Sequence, residues 1–173
     1  MAELNRGINT GPLLQFKKKV LEDPSLADRK PTVVAHWVGA DESRVEHEGI
    51  VTHLGGENNL NPMKMLLGAL AACDVDLIAM HCSFLELKIE SLSVEVTGDF
   101  NVQSYLGIPD TRSSGYNQIA YTVHLDASDA TPDQIEYLKG LCERASPVGD
   151  SLARAIPMKL DFSATKQVAT SNE

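Results

Sequence analysis

Residues 61–83 read Asn61-Pro62-Met63-Lys64-Met65-Leu66-Leu67-Gly68-Ala69-Leu70-Ala71-Ala72-Cys73-Asp74-Val75-Asp76-Leu77-Ile78-Ala79-Met80-His81-Cys82-Ser83, and this stretch decides the fold. Asn61 suits a helix N-cap because its side-chain oxygen can accept an orphan backbone N–H. Pro62 suits the first helical position, where no N–H is needed. Leu66, Leu70, Cys73, Leu77 and Met80 recur at helical spacing, and apolar residues also occupy positions 67, 69, 71, 72, 75 and 78. A helix apolar nearly all round is a buried helix. Gly68, Ala69, Ala71 and Ala72 are small, so other backbones can approach closely near Cys73. In a chain of 173 residues such a helix carries more apolar surface than one copy covers, and a homodimer is expected.

Working outward, residues 89–100 alternate, with Leu92, Val94 and Val96 set against Ser93, Glu95 and Thr97. Residues 115–126 supply a partner strand through Ile119, Tyr121, Val123 and Leu125. The connection over 104–114, with Gly107, Pro109 and Asp110, is long for a hairpin. Thr131-Pro132 starts a second helix with Ile135, Leu138, Leu141 and Cys142 on its apolar stripe. Pro147 ends or kinks it, and Ser146 can cap a short helix running to Arg154. Residues 157–164, with Met158, Leu160 and Phe162 alternating, read as a last strand.

On the other side of the long helix, residues 32–37, 43–47 and 50–54 read as a small antiparallel meander, with turns at Gly39-Ala40-Asp41-Glu42 and Gly49. Gly55-Gly56-Glu57-Asn58-Asn59 is a loop by composition and lacks the lysine of a phosphate-binding loop. Residues 12–22 form a short helix that Asp23-Pro24 ends, since the residue before proline avoids the helical region. The chain thus divides into an arm with a short helix over 1–31, an α+β domain over 32–164 and a tail over 165–173.

The formal net charge of −9 argues against nucleic acid and anionic membrane as partners. Residues 1–10 are polar and carry no apolar core of a secretory signal. The best apolar run, 65–73, is followed by Asp74 and Asp76, so no membrane span is expected. Three cysteines without motif spacing make no disulfide framework. We therefore expect a cytoplasmic protein with reduced thiols. The histidines, His36, His47, His53, His81 and His124, show no metal-ligand spacing, and neither metal nor other cofactor is expected.

The order of meander, cysteine helix, two strands, helix, Ser146-Pro147-Val148 turn and last strand, together with the motif from Asn61 to Cys73, resembles the OsmC/Ohr family over roughly residues 32–164. The resemblance implies antiparallel sheets wrapped around long central helices in an intertwined dimer. It also implies thiol-dependent reduction of organic hydroperoxides, a peroxiredoxin-like stress-response chemistry. In that chemistry a thiolate in the middle of the long helix attacks the peroxide. A second cysteine, before the Pro-Val turn, closes a disulfide, and small dithiols regenerate the enzyme. An arginine from the meander lowers the thiol pKa and is held by a glutamate after the Asn-Pro of the helix. By resemblance Cys73 matches the attacking cysteine, and Arg44 matches the arginine by region. The glutamate position holds Met63 and the resolving position holds Ser146.

A cysteine in a helix interior gains nothing from the helix dipole, which acts at the first turn, and burial alone disfavours its thiolate. Cys73 therefore needs a nearby cation, for which Arg44 is the candidate. Cys82 cannot resolve it, since nine residues of helix separate them by roughly 13 Å, whereas a disulfide needs Cα atoms within ~7 Å. Cys142 is a candidate second thiol only if its helix is displaced by about one turn, and otherwise a core cysteine. Asp74 and Asp76 are expected to point away from Cys73, toward solvent or a salt bridge at the dimer surface. Three functions compete. The first is a one-cysteine thiol peroxidase recycled by a small external thiol. The second is a non-catalytic dimer binding an apolar ligand near Cys73, Met63 and Met65. The third is a structural dimer without ligand.

Overall fold

A computed structural model of the chain describes residues 8–109 and 113–164. The arm over 1–7, the tail over 165–173 and Asp110 of the long connection lie outside the described residues. Helix α1 (Thr10–Glu22) begins where Asn9 accepts the Gly11 N–H, and Asp23 then caps a single 3₁₀ turn. Strands β1 (Val34–Gly39), β2 (Glu42–His47) and β3 (Ile50–Leu54) form the expected antiparallel meander, with His36, Arg44 and His53 side by side in register. At the β2–β3 turn Glu48 and Gly49 have φ of 48° and 83°, the left-handed pair that matches hairpin twist. Gly55, also left-handed, lies so close to the Asp41 carbonyl that an added Cβ would stand 2.0 Å from its oxygen. The Gly55-Gly56 loop is thus tied to the first hairpin.

Helix α2 (Pro62–Phe84) starts as read: Asn61 accepts the Lys64 N–H at 2.8 Å. Strands β4 (Ser91–Phe100) and β5 (Tyr116–Asp126) form a long antiparallel ladder against which α2 packs. Gly98 is where strand and helix crowd together, since a Cβ there would meet the Tyr116 ring at 2.6 Å and Leu67 at 3.2 Å. Helix α3 (Pro132–Ala145) opens with a complete capping box between Thr131 and Gln134, and α4 (Pro147–Ala153) opens with Ser146 as its cap. Both pack on α2. The core is Ile78, Cys82, Leu87, Leu138 and Cys142, flanked by half-buried Leu92, Val123 and Leu125.

Three expectations need correction. Residues 157–164 form no strand: Met158, Leu160 and Phe162 are 94, 83 and 85% exposed. An extended segment becomes a strand only when an edge pairs with it, and among the described residues none does. Second, α2 is by length and composition apolar enough to cross a membrane, which the apolar-run reading excludes. The same composition suits a core helix, and α2 packs its buried stripe against α3, α4 and β4. Third, that stripe is not the one read from the sequence. It runs Leu70, Asp74, Ile78, Cys82, while Leu66 is exposed. Asp76 is exposed as expected, but Asp74 has no accessible surface at all.

Candidate active site

Cys73 sits half-buried in the middle of α2 and is a free thiol. The α3–α4 junction faces it. There Ser146, 2% exposed, donates its hydroxyl to Cys73 Sγ at 3.6 Å and accepts the Gly149 N–H at 3.2 Å. Position 146 is thus within contact of the thiol, as the resemblance implies for a resolving residue, but a hydroxyl cannot close a disulfide. What it can do is stabilise a thiolate, because a hydrogen bond to the charged form favours ionisation.

Asp74 adjoins this pair. Its carboxyl is buried, and neither oxygen has a hydrogen-bond partner, the one such orphaned side chain among the described residues. Burial raises its pKa, and the nearby Ser146 hydroxyl lowers it by less. That hydroxyl meets Sγ rather than either carboxylate oxygen in hydrogen-bonding geometry. A hydroxyl has a single proton to give, so while that proton lies on Sγ Asp74 accepts none from Ser146. Burial and then the Asp74 charge also push up Tyr121 on β5 and Cys142 on α3, the latter to about 11. Cys142 packs in the core, and it is Ser146 that meets the Cys73 sulfur. Cys82 is likewise buried, and its pKa is raised by desolvation and by Asp129.

Arg44 is not brought to Cys73 within the chain. It lies on β2, whose substantial contacts are with β1 and β3, and its Nη1 pairs with Glu46 Oε2 at 2.6 Å. Glu46 thus holds the arginine from two residues away on the same strand, a partner the sequence reading missed. The signal was the alternation itself, which places Arg44 and Glu46 on one face. Met63 instead offers its backbone carbonyl to the Tyr116 hydroxyl at 2.8 Å, pinning the start of α2 to β5. Its side chain lines a groove of about 560 Å³ with Phe100, Val102 and Tyr105, and Cys73 and Met65 are not among the lining residues. Two further cavities, about 390 and 490 Å³, adjoin along β5 and α3 and share Tyr121, Cys142 and Glu143. Among the described residues no three His, Cys, Asp or Glu side chains gather as a metal site.

With this geometry in hand, the comparisons with known proteins agree among themselves. The family model described as OsmC-like protein matches residues 55–161. No curated protein matches the chain in sequence. Among solved structures, the fold is similar to an OsmC-like protein from Mycoplasma pneumoniae, with a TM-score of 0.62 at 17% identity over 73% of this chain and 89% of that one. An OsmC-like protein of unknown function from Vibrio cholerae gives 0.56 at 12% identity, covering 72% and 94%. An organic hydroperoxide resistance protein from Elizabethkingia anophelis gives 0.50 at 10%, covering 72% and 89%. At these identities the likeness concerns the fold.

Proposed function

The chain belongs to the OsmC-like protein family, and from that premise we propose that it is a one-cysteine thiol peroxidase acting on organic hydroperoxides. The observation that carries this reading is the Ser146 hydroxyl on the Cys73 sulfur. The thiolate attacks the outer peroxide oxygen, the O–O bond breaks, and the departing alkoxide takes up a proton as the alcohol. The sulfur, oxidised by two electrons, is left as the sulfenic acid. An external small thiol condenses with it, releasing water and forming a mixed disulfide, and a second external thiol attacks the outer sulfur of that bond, releasing Cys73 as the thiolate and leaving as the external disulfide. With serine at position 146 no internal thiol resolves the sulfenic acid, so excess peroxide carries it on to the sulfinic state.

The working unit we propose is a cytoplasmic homodimer. Leaving Trp37 and Ile50 of the meander 77% and 73% exposed, together with Met158, Leu160 and Phe162, gives one copy far more apolar surface than a monomer keeps. In such a dimer Arg44 of a second copy is the cation available to Cys73, since its own is engaged on a sheet apart from α2.

The test is stopped-flow reaction of the reduced protein with cumene hydroperoxide, with Cys73→Ser as control. Rapid loss of one thiol that depends on Cys73, followed by slow and inactivating turnover with a dithiol, is the expected result. Ser146→Cys should convert this to durable cycling through a disulfide between Cys73 and the introduced thiol, and should do nothing in a Cys73→Ser background. Full activity without Cys73 would end the proposal. A second reading, a non-catalytic dimer that binds an apolar ligand, is favoured by the groove beside Met63. An inert Cys73, with a fluorescent fatty acid displaced by Met63→Glu, would decide for it.

A further inference from the structure

One buried hydroxyl stands between two acids. Ser146 Oγ accepts the Gly149 N–H and gives its only proton to Cys73 Sγ. One lone pair remains. Asp74, next to Cys73 in sequence and facing the same junction from α2, is fully buried with both oxygens unpartnered. A carboxylate there would stand without a hydrogen bond, which costs far more than burying the neutral acid. The neutral acid carries a proton that it can donate, and the remaining lone pair of Ser146 is the acceptor beside it.

Among the described residues no cation acts on Asp74. From β5 the group facing Asp74 is Tyr121, and from α3 it is Cys142, with Glu143 acting on both. From the α3–α4 junction it is Ser146, and on α2 itself it is Cys73. None of these is a cation and Glu143 is an anion, so only the Ser146 hydroxyl eases a negative charge on Asp74.

We propose that Asp74 is a positioning residue for Cys73: protonated, it donates to Ser146 Oγ and directs the Ser146 O–H to the sulfur, and once ionised it accepts that hydrogen bond in place of the sulfur. The thiolate and the carboxylate then exclude one another. While Asp74 holds its proton, the thiolate has a donor. Once Asp74 ionises, the donor turns away and an anion stands close to the sulfur. This rests on Cys73 being the reactive thiol, as proposed above, but not on peroxide being its substrate.

The experiment measures the thiolate of Cys73 directly, by ultraviolet absorbance against a Cys73→Ser reference and by the pH profile of alkylation with iodoacetamide. Burial raises the thiols of both Cys82 and Cys142, so both ionise later than an ordinary cysteine, and the Cys73→Ser reference removes their share. Wild-type protein should show a drawn-out rise in thiolate with pH. Asp74→Asn, whose amide can still donate to Ser146 but cannot ionise, should show a single steeper step, with roughly 10-fold more thiolate over the range where wild type is held back. In a Ser146→Ala background the same Asp74→Asn change should lose most of that effect. The infrared carbonyl band of a protonated carboxylic acid should be present in wild type and absent from Asp74→Asn. Identical profiles in wild type and Asp74→Asn would overturn the proposal, as would an undiminished effect without Ser146 or a missing carboxylic-acid band. If the titrations behave as expected but peroxide does not consume Cys73, the peroxidase reading fails and this one stands.

Discussion

The helical body and the β1–β3 meander are both built from well-patterned amphipathic elements, yet only one of them finishes itself. In the body, α2, α3 and the β4–β5 ladder bury Ile78, Cys82, Leu87, Leu138 and Cys142 against one another. In the meander no strand residue is buried, and Trp37 and Ile50 face outward at 77% and 73% exposure. Alternation creates an apolar face, but something else must cover it. The body has a helix for that purpose. Among the described residues the meander has none, and the extended segment with Met158, Leu160 and Phe162 is in the same position.

The sharpest way to break this contrast is to weaken each region and ask whether the cost depends on protein concentration. Leu138→Ala removes a buried core side chain, so chemical denaturation should show a loss of about 2–5 kcal/mol that is the same at every concentration. Ile50→Ser should behave otherwise. In an isolated chain so exposed a change stays within about 0.5 kcal/mol. If a second copy covers the meander, the loss should be about 1.5–3 kcal/mol, concentration-dependent, and accompanied by monomer in sedimentation equilibrium. A wild-type monomer at micromolar concentration would show that the meander is simply wet.

Asp74 is the body's own defect, and its effect has a sign that pH reveals. Its folded pKa is raised above the ordinary 3.8, chiefly by burial. The unfolded chain therefore releases the proton first as pH climbs, and stability is full below the ordinary value and is lost as pH rises through the folded one. Asp74→Asn should thus gain roughly 1 kcal/mol at neutral to alkaline pH. The gain should fade on acidification toward the ordinary carboxylate range, as urea melts at several pH values would show. The smallest effect belongs to the meander surface. Arg44 and Glu46 are each about a third exposed or more, so Glu46→Gln should change stability by less than about 1 kcal/mol. If Arg44 serves a neighbouring Cys73, that same change should alter alkylation of Cys73 while the fold barely responds.

Most of the fold was legible because its signals are local. Asn61-Pro62, Thr131-Pro132 and Ser146-Pro147 each start a helix where a cap followed by proline predicts one. The last strand was misread because Met158, Leu160 and Phe162 declare an apolar face and not the edge that receives it. At the site, Cys73 and Ser146 were legible as positions but not as neighbours, which needs the angle between α2 and the α3–α4 junction. Asp74 was missed for an instructive reason. Leu70, Asp74, Ile78 and Cys82 follow one another every four residues, so the spacing was in view. A carboxylate on an apolar stripe was assigned to the solvent because that is where carboxylates usually go.

The double duty of Ser146 bears on how such a protein can change over generations. Most serine codons lie one base from cysteine, so the thiol that would make turnover durable is a single mutation away. That mutation removes the oxygen that caps α4 through the Gly149 N–H, a loss of about 0.5–2 kcal/mol at typical N-caps. Lineages poor in oxidant have reason to keep the well-started helix, and lineages flooded with it have reason to accept the weaker one. Position 146 is a place where selection can move in either direction without rebuilding the fold.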